Sequence, residues 1–275
     1  MNMVKNDAKR VFLKKGTCSQ TLCFLLDREF GQARENEERA SDPLAGGLMQ
    51  SGHQCGQLWG AVLAAGAESF RRHPDRDHAV AAAMTAARHL VDAFEKTAQS
   101  VNCRDIIGCD FNDKAGLWKA LLLGRFIRCF RLAGQWAPEA IRAADAGLAR
   151  AGGTGAAQPV SCASEVVKKM AGGDEEMVMV AGLAGGIGLS GGACGALAAA
   201  IWMKTLAWCR EHPGKTPPYF KNQRAKNLLR AFREATGSEM LCQKITGRRF
   251  KTVGEHAEFV KNGGCAGLID LLARS

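Results

Sequence analysis

The chain has little from which to build sheets or membrane spans. Aromatic residues make up 7% of its 275 positions, and there is a single tyrosine. That poverty, set against abundant alanine and 32 glycines, favours close-packed helices over strands. No apolar run is long enough to span a membrane, because Lys204 and Arg210 interrupt the longest one. The start, Met1 to Asp7, lacks the apolar core and cleavage site of a secretory signal, so the expected compartment is the cytoplasm. There is no Cys-x-x-Cys, which removes both a thioredoxin motif and ferredoxin-type spacing. Nor does any serine–histidine–carboxylate or paired-carboxylate pattern stand out. Whether the chain is an enzyme is left open at this stage.

Several features recur at one spacing. Leu183 to Leu197 contains the run Ala-Gly-Gly-x-x-x-Ser-Gly-x-x-Cys-Gly, and Leu44 to Leu58 carries it 139 residues earlier. The same offset takes His73-Pro74 onto His212-Pro213 and Cys103 onto Cys242. Two tandem copies of one module follow from this. The expected fold is all-α, with a first module at 1–150, a Gly- and Ala-rich linker at 151–160 and a second module at 161–275.

Helical spacing is expected over Ala8 to Lys15 and from Cys18 to about Phe30. Gln32 to Asp42 reads as a surface loop or short polar helix. A helix headed by Cys55 runs to Arg72, and a long amphipathic one spans Ala79 to Ala98. A polar turn is expected around Asp110 to Asp113. Two more helices, Ala120 to Trp136 and Pro138 to Arg150, close the first module. In the second, Cys194 heads a helix to Cys209, Phe220 to Thr236 matches the long amphipathic helix, and Cys265 opens the last one.

Eleven cysteines in a reducing compartment suggest ligation or thiol chemistry more than structural disulfides. Pairing the copies sorts them: Cys55 with Cys194, Cys103 with Cys242, and Cys129 with Cys265. The first position is contested. Cys23 stands 139 residues before Cys162, but Cys18 matches Cys162 better in local character and is taken as the first member. Cys23, Cys109 and Cys209 have no twins and read as ordinary thiols. Four matched cysteines per module is the number that a tetrahedral metal or an iron–sulfur cluster requires. The opposing reading is packing, since cysteine is a small and commonly buried residue, and spacing alone leaves the two about even.

Other signals carry less. Gly186-x-Gly188-x-x-Gly191 after Met177 to Val180 mimics a dinucleotide-binding turn, but no strand–helix alternation surrounds it and Met49 replaces Gly188 in the first copy. His73 and His212 read as helix ends, while His53 could tune Cys55 in the first module only. A net charge of +10 raises nucleic acid as a partner. Lys221 to Lys226 and Arg248 to Lys251 form no dense patch with interleaved aromatics, so a basic face docking an acidic redox partner protein is the preferred reading.

With the cysteines in view, both modules resemble the C-GCAxxG-C-C family of redox-active proteins. Phe12 to Gln20 and Ser161 to Glu165 resemble its opening segment. Gly185 to Ala199, and the run from Cys55 to Gly60, resemble its glycine-rich block. Asn102 to Gly108 resembles its third block closely, and Leu241 to Gly247 less so. Ala199 stands where the trailing glycine of the motif belongs, and the fourth cysteine has a weakly patterned context. The resemblance implies an all-helical fold and a cysteine-based redox role. The leading expectation is an iron–sulfur cluster on Cys18, Cys55, Cys103 and Cys129, and a second on Cys162, Cys194, Cys242 and Cys265. The alternatives are thiol–disulfide exchange, with Cys55 or Cys194 as the attacking thiol, and a zinc-stabilised interaction module.

Overall fold

A computed structural model describes residues 2–109, 113–150, 159–219 and 221–275. The described residues contain fifteen α-helices and two isolated β-bridges, with no strand. In the first module these are α1 (Asn2–Lys15), α2 (Cys18–Glu29), α3 (Glu35–Ala40), α4 (Gly56–Arg72), α5 (Arg76–Ala98), α6 (Cys103–Ile107), α7 (Lys114–Leu122) and α8 (Ile127–Arg150). The second holds α9 (Cys162–Lys169), α10 (Asp174–Ala181), α11 (Gly195–Glu211), α12 (Gln223–Thr236), α13 (Cys242–Ile245), α14 (Val253–Lys261) and α15 (Ala266–Arg274). Among the described residues no helix is long and apolar enough to cross a membrane.

Alanine-rich faces let these helices approach closely. In the first module α5 packs along α8, and α4 lies against both α2 and α5. Phe94 meets Trp136 edge-on at 4.9 Å in the α5–α8 seam. The modules then exchange contacts reciprocally. The helix before each glycine-rich turn packs on the long helix after the other module's turn: α3 on α11, and α10 on α4. One buried apolar cluster runs through both modules as a result. The Trp202 indole donates to the Glu37 carbonyl across this junction at 3.2 Å.

Some elements differ from expectation, each for a tertiary reason. Of the two expectations for the polar stretch before the first turn, the short helix is the one found, but its second half is packed inside the protein and not on its surface. The stretch forms α3 and a 3-10 turn at Asp42–Leu44, and Glu38, Arg39 and Asp42 are buried. Lys15 neutralises Glu38 at 2.9 Å, and Arg39 donates to the carbonyls of His212 and Lys215. Pro138 does not separate two helices but sits inside α8. Leu132, Trp136, Ala140, Ala144 and Leu148 bury one continuous face there, and that packing outweighs the local cost of the proline. Met177 to Val180 is helical in α10, so the dinucleotide-turn reading has no preceding strand. Parts of the expected polar turn and nearly all of the linker lie outside the described residues. His73 and His212 cap the C-termini of α4 and α11 as expected.

Candidate functional site: two four-cysteine sets around left-handed turns

The repeated glycine-rich segment is a left-handed turn rather than a simple lead-in to a helix. Residues 46–50 have φ values of 70°, 75°, 66°, 52° and 56°, and residues 185–189 have 62°, 79°, 63°, 55° and 63°. This region costs a non-glycine residue about 1–2 kcal/mol, yet Leu48, Met49, Gln50, Ile187 and Leu189 occupy it. Burial of Leu48 and Ile187, both 0% exposed, offsets that cost. Glycine is obligatory at the twin positions Gly47 and Gly186. A Cβ would lie 2.4 Å from the His53 carbonyl oxygen in one and 2.4 Å from the Gly192 nitrogen in the other.

The turn arranges the cysteines. Its far end pairs with the segment before the third cysteine, through the bridges Gln54–Asn102 and Ala193–Leu241. The Cys55 amide donates to Val101 at 2.7 Å, and the Cys194 amide donates to Met240 at 2.9 Å. In return, the Cys103 and Cys242 amides donate to the carbonyls of His53 and Gly192, both at 2.6 Å. The second and third cysteines of each module are therefore held by the same backbone bonds. At the near end, the amides of Gly46 and Gly185 donate to the thiols of Cys18 and Cys162, the first residues of α2 and α9. The fourth cysteines come from the start of α8 and the N-cap of α15. Gln57 donates to the Cys129 carbonyl at 2.9 Å.

All eight paired thiols gather into two sets. In the first module Cys55 is within electrostatic reach of Cys18, Cys103 and Cys129, and in the second Cys162 is within reach of Cys194, Cys242 and Cys265. Cys23 is elsewhere: its thiol donates to Asp27 at 3.7 Å inside the α2 core. Cys209 is likewise a core thiol of α11. Cys109 is not remote, because it lies beside Cys103 and adds to the charge that Cys103 feels. Its twin position is Arg248, so pairing the copies could not reveal it. None of the eleven cysteines is in a disulfide.

The sets differ in their proton chemistry. Cys18 and Cys55 share a thiol hydrogen bond. That bond, helped by the amides of Gly46 and Ser19, lowers the Cys18 pKa despite burial. Cys55 moves the other way, well above an ordinary thiol, because it donates to Cys18 and is buried. Burial also pushes Cys129 up to about 12 and Cys103 well above its usual range. In the second module every paired thiol is raised. Cys194 reaches about 11, since burial outweighs the Leu197 and Ala196 amides at the head of α11, and Cys242 reaches about 12. Among the paired thiols Cys18 is thus the one whose pKa is shifted down, while Cys55 and Cys194 are shifted up. His53 meets the site through its backbone carbonyl, and the main causes of the Cys55 shift are the neighbouring thiols and burial.

A cavity of about 510 Å³ opens on the first set, reaching Cys18, Cys103 and Cys129. Phe12, Ile107, Phe126 and Phe130 make its walls, with the Phe12 and Phe130 rings tilted by 34° at 4.5 Å between centroids. Its polar side chains besides the thiols are Lys15, Thr17, Asp42, Thr216 and the chain's one tyrosine, Tyr219, the last two supplied by the second module. Thr17 donates to Asp42 Oδ1 at 2.6 Å, whereas Oδ2 is buried with no hydrogen-bond partner. Burial lifts the Asp42 carboxyl to about 6, partly opposed by Thr17.

A family model described as "Putative redox-active protein (C_GCAxxG_C_C)" matches residues 17–138 and again 160–274. The chain belongs to this C-GCAxxG-C-C family, twice over. Both matches contain a left-handed turn and a complete set of four cysteines. No curated protein and no solved structure matches the chain.

Proposed function

We propose that this C-GCAxxG-C-C protein is a thiol–disulfide redox protein in which Cys18 and Cys55 are the reacting pair. The observation that carries the reading is their shared hydrogen bond, with one thiol shifted down and the other up. Such a pair holds one proton between two sulfurs, which leaves Cys18 as nucleophile while Cys55 stays protonated behind it. Oxidation removes two electrons and the remaining proton as the Sγ–Sγ bond forms. The second set lacks an activated thiol, and its role in this reading is to hold α9, α13 and α15 around the twin turn. A basic surface, with net charge +10, suits an acidic protein as electron donor.

A second reading is favoured by the fourfold convergence of free thiols in both modules. Four thiolates are the donor set of an iron–sulfur cluster, which supplies one-electron transfer when bound. Cys18, Cys55, Cys103 and Cys129 would hold one cluster, and Cys162, Cys194, Cys242 and Cys265 the other. A single zinc ion fits less well. Among the described residues no group of three or more His, Cys, Asp or Glu side chains is spaced to hold one metal ion.

Anaerobic purification followed by iron and acid-labile sulfide assays separates the two readings. The dithiol reading expects a colourless protein that consumes one equivalent of a small disulfide and links Cys18 to Cys55. Iron and sulfide in stoichiometric amounts, with those cysteines protected from alkylation, would establish the cluster instead.

A further inference from the structure

The cavity beside Cys18 has the build of a ligand site. Its volume of about 510 Å³ lies in the range of small-molecule pockets, and its walls are mainly aromatic and aliphatic. Few polar atoms enter it. Asp42 Oδ2 is an orphan: the residue is 2% exposed and this oxygen has no partner. A buried polar atom left unsatisfied is costly, so its presence here needs a reason. The Tyr219 hydroxyl, hydrogen-bonded to the Gln50 side chain, also stands at the site, where a Cβ on Gly46 would lie 3.3 Å from it. A ligand oxygen would share or replace the Gln50 contact. Burial keeps that phenol protonated well above its ordinary range.

We infer that this cavity binds a quinone, an apolar ring carrying oxygens that are acceptors when oxidised and hydroxyls when reduced. The ring lies among Phe12, Phe126 and Phe130, with Asp42 and Tyr219 meeting its oxygens. A carboxyl suits both redox states, because it donates to a carbonyl when protonated and accepts from a hydroxyl when ionised. The inference rests on the dithiol reading, and the balance is complete. Cys18 thiolate and Cys55 thiol lose two electrons and form the Sγ–Sγ bond. The quinone gains those electrons, one proton from Cys55 and one from Asp42, and leaves as hydroquinone. Asp42 is then reprotonated from solvent. A protein disulfide is a poorer fit, since the walls offer an apolar slot and few groups to pair a peptide backbone.

Fully reduced protein, mixed anaerobically with tetramethyl-benzoquinone, tests this; the ring is fully substituted, so thiols reduce it without adding to it. The expected result is saturable formation of one hydroquinone per Cys18–Cys55 disulfide. Tyr219→Phe should raise the half-saturating concentration about ten-fold, the worth of one hydrogen bond, with the maximal rate changed less than about three-fold. A rate that stays linear in quinone, or equal saturation in Tyr219→Phe, would overturn the site. Bis(hydroxyethyl) disulfide serves as a parallel oxidant. If it links Cys18 to Cys55 while the quinone does not, the cavity inference alone fails. If neither oxidant links them, the dithiol reading fails as well.

Discussion

Gly56 faces the sulfur of Cys18: a Cβ at Gly56 would stand 2.4 Å from Cys18 Sγ and 2.8 Å from the Ala45 Cα. The glycine after the motif cysteine is therefore a requirement of the thiol pair. Gly60, one turn further along α4, plays the matching role for the backbone, since a Cβ there would lie 2.0 Å from the Ser19 carbonyl oxygen. Together they seat α4 against the start of α2. Gly56→Ala should displace the Cys18 thiol from Cys55 and cost about 1–3 kcal/mol of stability through overpacking. Iodoacetamide labelling of Cys18 against pH, followed by peptide mass spectrometry, should show its midpoint rise. An unchanged profile would separate the glycine from the thiol's activation.

The lowered pKa of Cys18 has a named cause, and removing it gives the sign. Cys55→Ala deletes the largest contribution, the thiol hydrogen bond, and leaves burial to act against the thiolate. Cys18 should then label more slowly near neutral pH than in the wild type. Cys162, raised by burial and by its three neighbours, should label slowly in both proteins.

Asp27 supplies a pH dependence away from the site. Burial and the neighbouring Glu38 raise its pKa from 3.8 to about 8, with Arg34 opposing. A carboxyl raised on folding binds its proton more tightly in the native state. Its contribution is complete below the unfolded value near 4 and is lost as pH rises through about 8. Asp27→Asn should therefore flatten the fall in Tm between pH 5 and pH 9. A parallel fall in both proteins would assign that loss to other groups.

The join between the modules rests partly on one side chain. Gln54 Nε2 donates to the Gly186 carbonyl at 2.9 Å, and the Ala193 amide donates to Gln54 Oε1 at 2.9 Å. The first module thereby reaches into the turn of the second. Gln54→Ala would leave the buried Ala193 amide unpaired, at about 1–3 kcal/mol, while the Gly186 carbonyl keeps the Ser190 hydroxyl as its donor. Thermal unfolding should register the loss, and hydrogen exchange should localise it to the turn of the second module. Protection confined to wild-type levels would contradict this.

Much of this architecture was legible because the chain states it twice. The offset between Cys55 and Cys194 identified the turn, and helical periodicity located α4, α5 and α11. Gly46 and Gly185 address Cys18 and Cys162 alike, whereas Cys23 lies in the core beside Asp27. What stayed hidden depends on contacts without local signature. Five consecutive left-handed residues, three of them not glycine in the first copy, follow from burial and not from propensity. The inversion of Cys18 and Cys55 was invisible because it arises between two side chains 37 positions apart. Asp42, Cys109 and Tyr219 have no cysteine counterpart in the other copy, so comparing the repeats passed over them. Only the solitary status of the tyrosine could have drawn notice.

If Cys18 and Cys55 are the reacting pair, the first disulfide formed on oxidation joins them. Protein purified anaerobically and oxidised with one equivalent of bis(hydroxyethyl) disulfide would be alkylated, digested and analysed without reduction. One dominant cross-linked peptide should join Cys18 to Cys55, with Cys103 and Cys129 recovered as alkylated thiols. Recovery of Cys18 and Cys55 as free thiols, or a dominant link between any other pair, would contradict that pairing.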